Sequence, residues 1–447
     1  MSTHGGMMTL SLPLDTITAD ATTIEERRVD AVVYREDLYP RIEPNASLIQ
    51  RYAQNLDVLP PIEVNQDNIL IDGFHRLTAH RKNEAETIRV VVTPTESDLD
   101  IFALAIERNA RHGMQLSDAD KRKTAIRLYA AGTGKEKDEI ARILSVTPRS
   151  VTGYLADIDR QLNEERDRLV AEMYLACFTD EEIASAVEMT RRWVTEKTAT
   201  YGKNGSASIF AVSRPFEKDA DFEPPYYNVW TFAKKTNAVS HFGNSEQRIV
   251  DNLLYLYTEP FDIVVDPFAG GGSTIDVCKR RLRRYWVSDR KPIVEREREI
   301  RMLDIATDLP PLHNRWSDVT LTYLDPPYWK QAAGKYSKDG EDLANMDLDT
   351  FTETLTGIVR RIAEKQSRGA LALLIQPTQW LTNDAHDFTD HVRDILCATA
   401  KSKRLRLHNR ISCPYSTEQY NAQQLMWAKE NKSLLVLTRE LIVWKVG

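Results

Sequence analysis

The chain is poor in the features that mark secreted, membrane-bound or generally nucleic-acid-coating proteins. Of its 447 residues only four are cysteines, Cys177, Cys278, Cys397 and Cys413. They are scattered without metal-ligand or disulfide spacing, which excludes a disulfide scaffold and fits a reducing compartment. Long apolar runs are missing: stretches such as "LALLI" (Leu371 to Ile375) are strand-sized, so no membrane-crossing segment is expected. The start, "MSTHGGMMTLSLPL", lacks the basic opening and continuous apolar core of a secretion signal, and residues 1–23 read as a tail. A surplus of positive charge is missing too: 59 Lys and Arg against 66 Asp and Glu leave a net charge of -7. That excludes a simple electrostatic glue for nucleic acid. Two local basic clusters stand out, "KRRLRR" (Lys279 to Arg284) and "KSKRLRLHNR" (Lys401 to Arg410), as solvated faces or nucleic-acid contacts. His75 and His80 have no third ligand in view, so no metal site is expected.

What is present is an ordinary globular composition, 42% hydrophobic and 28% charged. At about 150 residues per domain, this length implies two or three domains. Residues 24–115 show short strands ("PPIEV", "NILID") around one helix ("HRLTAHRKNE"), a small α+β domain. Residues 116–200 are almost wholly helical and repeat one design. Ile140, Ala141 and Leu144 form an apolar face, a turn follows, and Val151 and Leu155 form a second face. Ile183, Ala184 and Val187, a turn, then Trp193 and Val194 repeat the order. Both read as helix-turn-helix units. The second helix of such a unit presents its first residues to the major groove, so Arg149, Ser150, Thr152, Arg191 and Arg192 are candidate DNA contacts. Residues 201–225, polar and then proline-bearing, read as a linker. From 226 to 447 β-type runs alternate with helical ones, the signature of a three-layer α/β domain whose last two strands form an antiparallel hairpin or edge.

The chemistry concentrates in that last domain. In "VVDPFAGGGST" (Val264 to Thr274) a strand ends in Asp266, three glycines admit close backbone approach, and Ser273 and Thr274 open a helix. The spacing is not G-x-G-x-x-G and no lysine follows, so a dinucleotide or phosphate loop does not fit. The next strand, "YWVSD", ends in Asp289, placed to accept hydrogen bonds from ribose hydroxyls. "DVTLTYLDPPYW" then brings Asp325, Pro326, Pro327 and Tyr328 to the same sheet edge. Such a tetrad arises by chance in roughly one chain in a thousand of this length. With Asp325 and the Pro326 carbonyl each accepting an N–H of a base's exocyclic amine, the nitrogen lone pair is aimed at an electrophile. Tyr328, with Trp329 beside it, offers a ring on which a flipped base can stack.

These residues resemble the amino-group DNA methyltransferases that use S-adenosylmethionine, through the D-P-F-x-G-x-G loop and the D-P-P-Y motif. The resemblance implies a Rossmann-like methyltransferase sheet. It assigns Asp266, Phe268, Gly270, Gly272 and Ser273 to the cofactor loop, Asp289 to its ribose, and Asp304 or Asp308 to its adenine. "SHFGNSEQRIV", with Ser240 and Phe242, would close over its methionine end. Asp at the head of the tetrad leans toward N6-adenine over N4-cytosine. No insertion large enough for a recognition module is expected in this half, Tyr336 to Ile362 reading as the loop and helix after the tetrad.

The segment from Ile24 to about Gly113 resembles the ParB/sulfiredoxin-like domain through "PPIEV", "IDGFHRLTAHR" and "ERNARHG", and the helical region resembles the helix-turn-helix part of ParB-like proteins. A glycine turn at a helix start with an arginine beside it suits phosphate, making Gly73, His75 and Arg76 the candidates. CTP-hydrolysing members carry paired arginines where this chain has His75-Arg76, so CTP is not carried over. The resemblances together imply DNA as partner, a cytoplasmic, nucleoid-associated location, and compatibility with a homodimer. A regulatory DNA-binding protein with a non-catalytic methyltransferase domain is the rival reading. If the helix-turn-helix pair selects the target, a chain lacking residues 1–200 should methylate DNA without the parent's sequence preference; mapping the modified positions tests this, and an unchanged preference overturns it.

Overall fold

The computed structural model describes residues 23–40, 44–111, 117–130, 135–201, 213–232, 246–296, 298–336, 338–381, 384–415 and 420–447. The chain divides into two compact units, Met1–Asn163 and Glu164–Gly447.

In the first unit β1 (Ile24–Arg28), α1 (Ala46–Ala53), β2 (Ile62–Val64), β3 (Leu70–Asp72), α2 (Phe74–Lys82) and β4 (Thr87–Val92) precede α3 (Asp98–Arg111), α4 (Asp118–Ala130) and α5 (Lys137–Leu144). The four strands form a mixed sheet in the order β1-β4-β2-β3. Gly73 starts α2 at φ 107°, and a Cβ there would stand 2.6 Å from Ile62 Cγ2. The glycine is therefore demanded by a left-handed backbone pressed onto β2. A further helix, α6 (Pro148–Leu175), follows α5 across a turn at Ser145, whose φ of 51° makes a left-handed helix end. Ile140, Ala141, Leu144, Val151 and Leu155 are all buried in one cluster, as the periodicity predicts for the first helix-turn-helix unit.

The second unit begins inside α6. It continues through α7 (Asp180–Ala186), α8 (Arg191–Thr198), α9 (Gln247–Tyr257), β5 (Ile263–Asp266), α10 (Ser273–Arg280), β6 (Arg284–Asp289), β7 (Arg301–Met302), β8 (Val319–Leu324) and α11 (Leu348–Lys365). Next come β9 (Ala370–Ile375), a separate antiparallel hairpin of β10 (Thr378–Leu381) and β11 (Asp384–Thr389), α12 (His391–Thr399), β12 (Leu405–Pro414), α13 (Ala422–Glu430) and β13 (Thr438–Val446). Seven strands make one mixed sheet in the order β12-β13-β9-β8-β5-β6-β7. The five strands from β9 to β7 are mutually parallel, while β13 is antiparallel to both its neighbours. Side chains alternate across it: Val264, Leu321, Ala372 and Leu374 join α9 and α10 in one core, and Ile263, Val265, Leu371 and Leu373 join α11 and α12 in another. This period of two, buried on both faces, explains why the strands look almost continuously apolar in sequence.

The expected break at 200/201 is not where the units divide. Val170, Leu175, Ile183, Val187 and Val194 belong to the same buried cluster as Ile249, Leu253 and Tyr285 of the sheet layer. The last carbonyls of α6 and its turn are bound by guanidiniums of the sheet domain: Arg284 Nε to Tyr174 (3.2 Å), Arg301 Nη2 to Ala176 (2.9 Å) and Arg315 Nη2 to Cys177 (2.7 Å). Unsatisfied carbonyls and the negative end of the helix dipole favour cations there. The described part of the expected linker, residues 213–225, is likewise docked, because Arg281 joins Asp219 (2.7 Å), Asp251 (2.6 Å) and the Arg214 carbonyl while lying over the Phe216 ring. "KRRLRR" is thus spent on internal bonds, with Arg283 bound to Thr258 and Lys279 to Glu299. In the second basic cluster Arg404 binds the carbonyls of Ala363 and Gln366, whereas Lys401, Lys403 and Arg406 are exposed.

Each fully buried aliphatic side chain contributes about 1.5–3 kcal/mol. Those five residues together therefore rival the ~5–15 kcal/mol net stability of a whole domain. A fragment of residues 164–447 is expected to unfold cooperatively on heating, and one of residues 201–447 to show no cooperative transition, so the deletion that tests target selection must end at Asn163 and not at residue 200; equal melting of the two by circular dichroism would refute the packing assignment.

Candidate active site

Strand β5 sits beside β6 on one flank and β8 on the other, so the winding of the parallel sheet reverses between β5 and β8. At such a reversal the crossovers leave to opposite sides and a crevice opens at the carboxyl ends of the strands. Asp266 ends β5, Asp289 ends β6, and Asp325 follows β8.

Asp266 is buried, and its carboxylate spans the glycine loop: one oxygen accepts from the Phe268 amide (2.9 Å), the other from Thr274 Oγ1 (2.6 Å). Burial pushes its carboxyl up to about 7, against the pull of those two donors and with help from the charges of Asp325 and Asp289. The Gly270 amide donates to Asp289 Oδ2 (3.0 Å), and the Lys291 amide donates to Asp289 Oδ1 (2.9 Å). Gly272 has φ 80°, and a Cβ there would meet Arg296, which itself donates to the Gly272 carbonyl.

A cavity of about 280 Å³ opens above this loop, with Phe268, Gly270, Asp289, Asp304, Asp325 and Pro327 among its walls. Six expected site residues are therefore brought together. Others are placed differently. Asp266 braces the loop, and Gly272 and Ser273 stand at the start of α10 outside the cavity wall, with Thr274 making the bond to Asp266. Asp308 is exposed and outside that wall, whereas Ile305 lies in it beside Asp304. Ser240 and Phe242 lie outside the described residues. Sequence reasoning missed Arg290 and Tyr336, which also line the cavity. Arg290 pairs with Asp304 (3.2 Å), Asp339 (2.8 Å) and Glu341 (3.2 Å), tying the segment after the tetrad to the Asp304 side of the cavity. Nothing local in the sequence links residues so far apart.

The tetrad itself is layered. Asp325 is half-buried and accepts from two phenols, Tyr323 (3.3 Å) and Tyr328 (3.1 Å). Pro326 is buried and Pro327 faces the cavity. Trp329, expected beside Tyr328 as a stacking ring, is a core residue: its indole donates to the Met346 carbonyl (3.0 Å) and its ring meets His391 edge-on. Burial, with the nearby Asp325 charge, drives the Tyr328 phenol well above the usual tyrosine range, so it remains a donor. The hairpin β10–β11 abuts this segment, with Thr378 Oγ1 donating to the Trp329 carbonyl (3.2 Å).

The DNA candidates separate into two sets. Arg149 and Thr152 are exposed on the first turns of α6, while the Ser150 amide donates to Thr147 Oγ1 (3.2 Å), which caps the helix start. Arg191 and Arg192 are exposed but paired with Glu181 (2.9 Å) and Glu196 (2.8 Å), and Asp180, Glu181 and Glu182 crowd the start of the preceding helix α7. In the first unit Gly73, His75 and Arg76 line a hollow of about 700 Å³. Arg76, however, is held by Asp72 (2.7 Å) and by the carbonyls of Pro60 (3.1 Å) and Pro61 (2.5 Å), and His75 Nε2 accepts from the Asn45 amide (3.1 Å). In the same hollow, burial of Glu63 is outweighed by donors from Arg108 and Thr93, which hold its carboxyl below its usual range. Among the described residues no group of three or more His, Cys, Asp or Glu could hold a metal, and no helix is long and apolar enough to cross a membrane.

Asp266 generates a pH signature. Its folded value lies above its unfolded one, so the folded state holds the extra proton and stability falls as pH rises from about 4 toward 7. Asp266→Asn removes this proton uptake: relative to the parent, its Tm should rise between pH 5 and pH 8, and a constant difference in melting scans would contradict the assignment.

No protein-family profile matches the chain. It is 41% identical over 78 residues to the transcriptional regulator NovG of Streptomyces niveus, a match covering 17% of this chain and 24% of that protein. The chain thus spans about a quarter of the length of that curated relative. The C-terminally truncated chromosome-partitioning protein ParB of Caulobacter crescentus, solved in complex with the centromeric parS site, is 15% identical over 42% of this chain and 88% of its own, with a TM-score of 0.24. A Pnob8-like ParB-N domain is 15% identical over 30% of this chain and 68% of its own, with a TM-score of 0.25.

Proposed function

We propose that the chain is a DNA methyltransferase that moves a methyl group from S-adenosylmethionine to the exocyclic amine of a base, adenine N6 by preference over cytosine N4. The observation that carries this reading is the convergence of Asp289, Asp304 and Asp325 on one cavity at the reversal point of a parallel sheet. The wall suits a ribose-bearing cofactor. Each Asp289 oxygen accepts one backbone N–H, which holds the carboxylate in the cavity wall where a ribose would lie. Asp304 offers an acceptor, and Phe268, Leu303 and Ile305 offer apolar surface to a nucleobase. Bound there, the cofactor would supply a sulfonium-activated methyl group.

The chain's own part is orientation. Asp325 and the Pro326 carbonyl each accept a hydrogen bond from one amine N–H, and Pro327 stiffens the segment. The two phenols fix the Asp325 rotamer before a base arrives. In-line displacement requires no covalent intermediate with the protein. The exposed start of α6, with Arg149 and Thr152, is the better DNA-docking surface of the two helix-turn-helix units, since Arg191 and Arg192 are already paired. The 41% identity over 78 residues to a named transcriptional regulator favours a DNA-directed role for part of the chain. It also keeps alive the rival reading, a regulator whose methyltransferase-like domain performs no transfer.

Labelled S-adenosylmethionine and plasmid DNA separate the two. The parent should incorporate label into N6-methyladenine, identified by nucleoside mass spectrometry, and Asp325→Ala should lower incorporation by roughly a hundredfold; equal incorporation by both would exclude the enzyme reading.

A further inference from the structure

We infer that Arg439, on the antiparallel strand β13, is a positioning residue for the tetrad, holding Asp325 as an oriented anion through Tyr328. This rests on the methyltransferase reading. Arg439 is buried, its guanidinium lies 4.6 Å from the Tyr415 ring centroid, and its Nε reaches the Cys413 carbonyl (3.4 Å). It also hydrogen-bonds the Tyr328 hydroxyl, which in turn donates to Asp325 Oδ1 (3.1 Å). Tyr415 extends the same layer by donating to Gln376 at the end of β9 (2.5 Å). A guanidinium, two phenols and a carboxylate therefore form one connected group beside the base-holding position.

The electrostatics give this group a task. Asp325 is faced by the carboxylates of Asp266 and Asp289 from β5 and β6, by the phenols of Tyr323, Tyr328, Tyr336 and Tyr415, and by the Cys413 thiol. Carboxylates sharing a site resist ionising together. Asp266 sheds that conflict by keeping its proton until about pH 7. Asp325 must instead stay ionised, because only the anion presents acceptors on both oxygens. Arg439 supplies the compensating charge from β13, on the flank of the sheet away from β6, and acts through Tyr328 and Asp325.

The test is the pH dependence of methyl transfer at saturating cofactor and DNA, with cofactor binding measured in parallel. Arg439→Gln should lower kcat about tenfold or more at neutral pH and move the acid limb of kcat upward by about one unit, with cofactor affinity unchanged within about twofold. Arg439→Lys, which keeps the charge and loses the fork, should restore the parent's acid limb at a reduced kcat. Should Arg439→Gln fail to fold, Tyr328→Phe, which severs the relay and keeps the ring, must lower kcat without weakening the cofactor. A parent that transfers no methyl group overturns the methyltransferase reading and this inference with it. An active parent whose acid limb is unmoved in Arg439→Gln, or whose kcat is unmoved in Tyr328→Phe, overturns this inference alone.

Discussion

Parallel strands cannot be joined by tight turns; each must be returned by a crossover, so all carboxyl ends emerge on one edge. That constraint makes a site out of residues drawn from separate strands. The reversal of winding between β5 and β8 then clears space above them. The glycine loop, Asp289 and the tetrad are neighbours for this reason, although they lie far apart in sequence. β13 enters the same sheet from the opposite direction, which brings its first residues, Arg439 among them, to that same edge.

Charge in this unit is largely turned inward. Arginines that look like a nucleic-acid patch bind carbonyls, carboxylates and rings: Arg281 to Asp251, Arg283 to Thr258, Arg284 to Tyr174. A buried guanidinium is costly unless its donors are met, and every nitrogen of Arg281 and Arg283 has a partner, among them Asp251, Thr258 and the Arg214 and Arg281 carbonyls. The net negative charge of the chain is in keeping with this, because few of its basic clusters remain for a polyanion. Any affinity for DNA then rests on a few exposed positions, such as those opening α6, more than on a broad field.

Sequence reasoning reached furthest where the signal is local. The loop after β5, the acid ending β6 and the tetrad after β8 each lie within a strand and the turn that follows, and six expected residues line one cavity. It failed where the decisive partner is remote. The pattern Ile183, Ala184, Val187, Val194 announces a buried face but not what covers it, so a helical pair packed on the sheet was assigned to a separate helical region. Tyr328 and Trp329 are adjacent aromatics, yet only the fold shows that one borders Asp325 and the other fills the core. Likewise the hairpin β10–β11 and helix α13 stand beyond strands that the periodicity found, in stretches whose own pattern is too short to name them.

The division between the compact units inside α6 bears on how such a chain could be recombined. A polar, proline-bearing stretch is the natural place to cut when exchanging the N-terminal half between related proteins, and residues 201–225 invite that choice. Here the seam lies in the middle of a continuous helix, so an exchange at the stretch would strip the sheet of its covering helices. A workable graft must join helix to helix near Asn163 and Glu164 with the turn phase preserved, since one residue gained or lost rotates the remainder by about 100°.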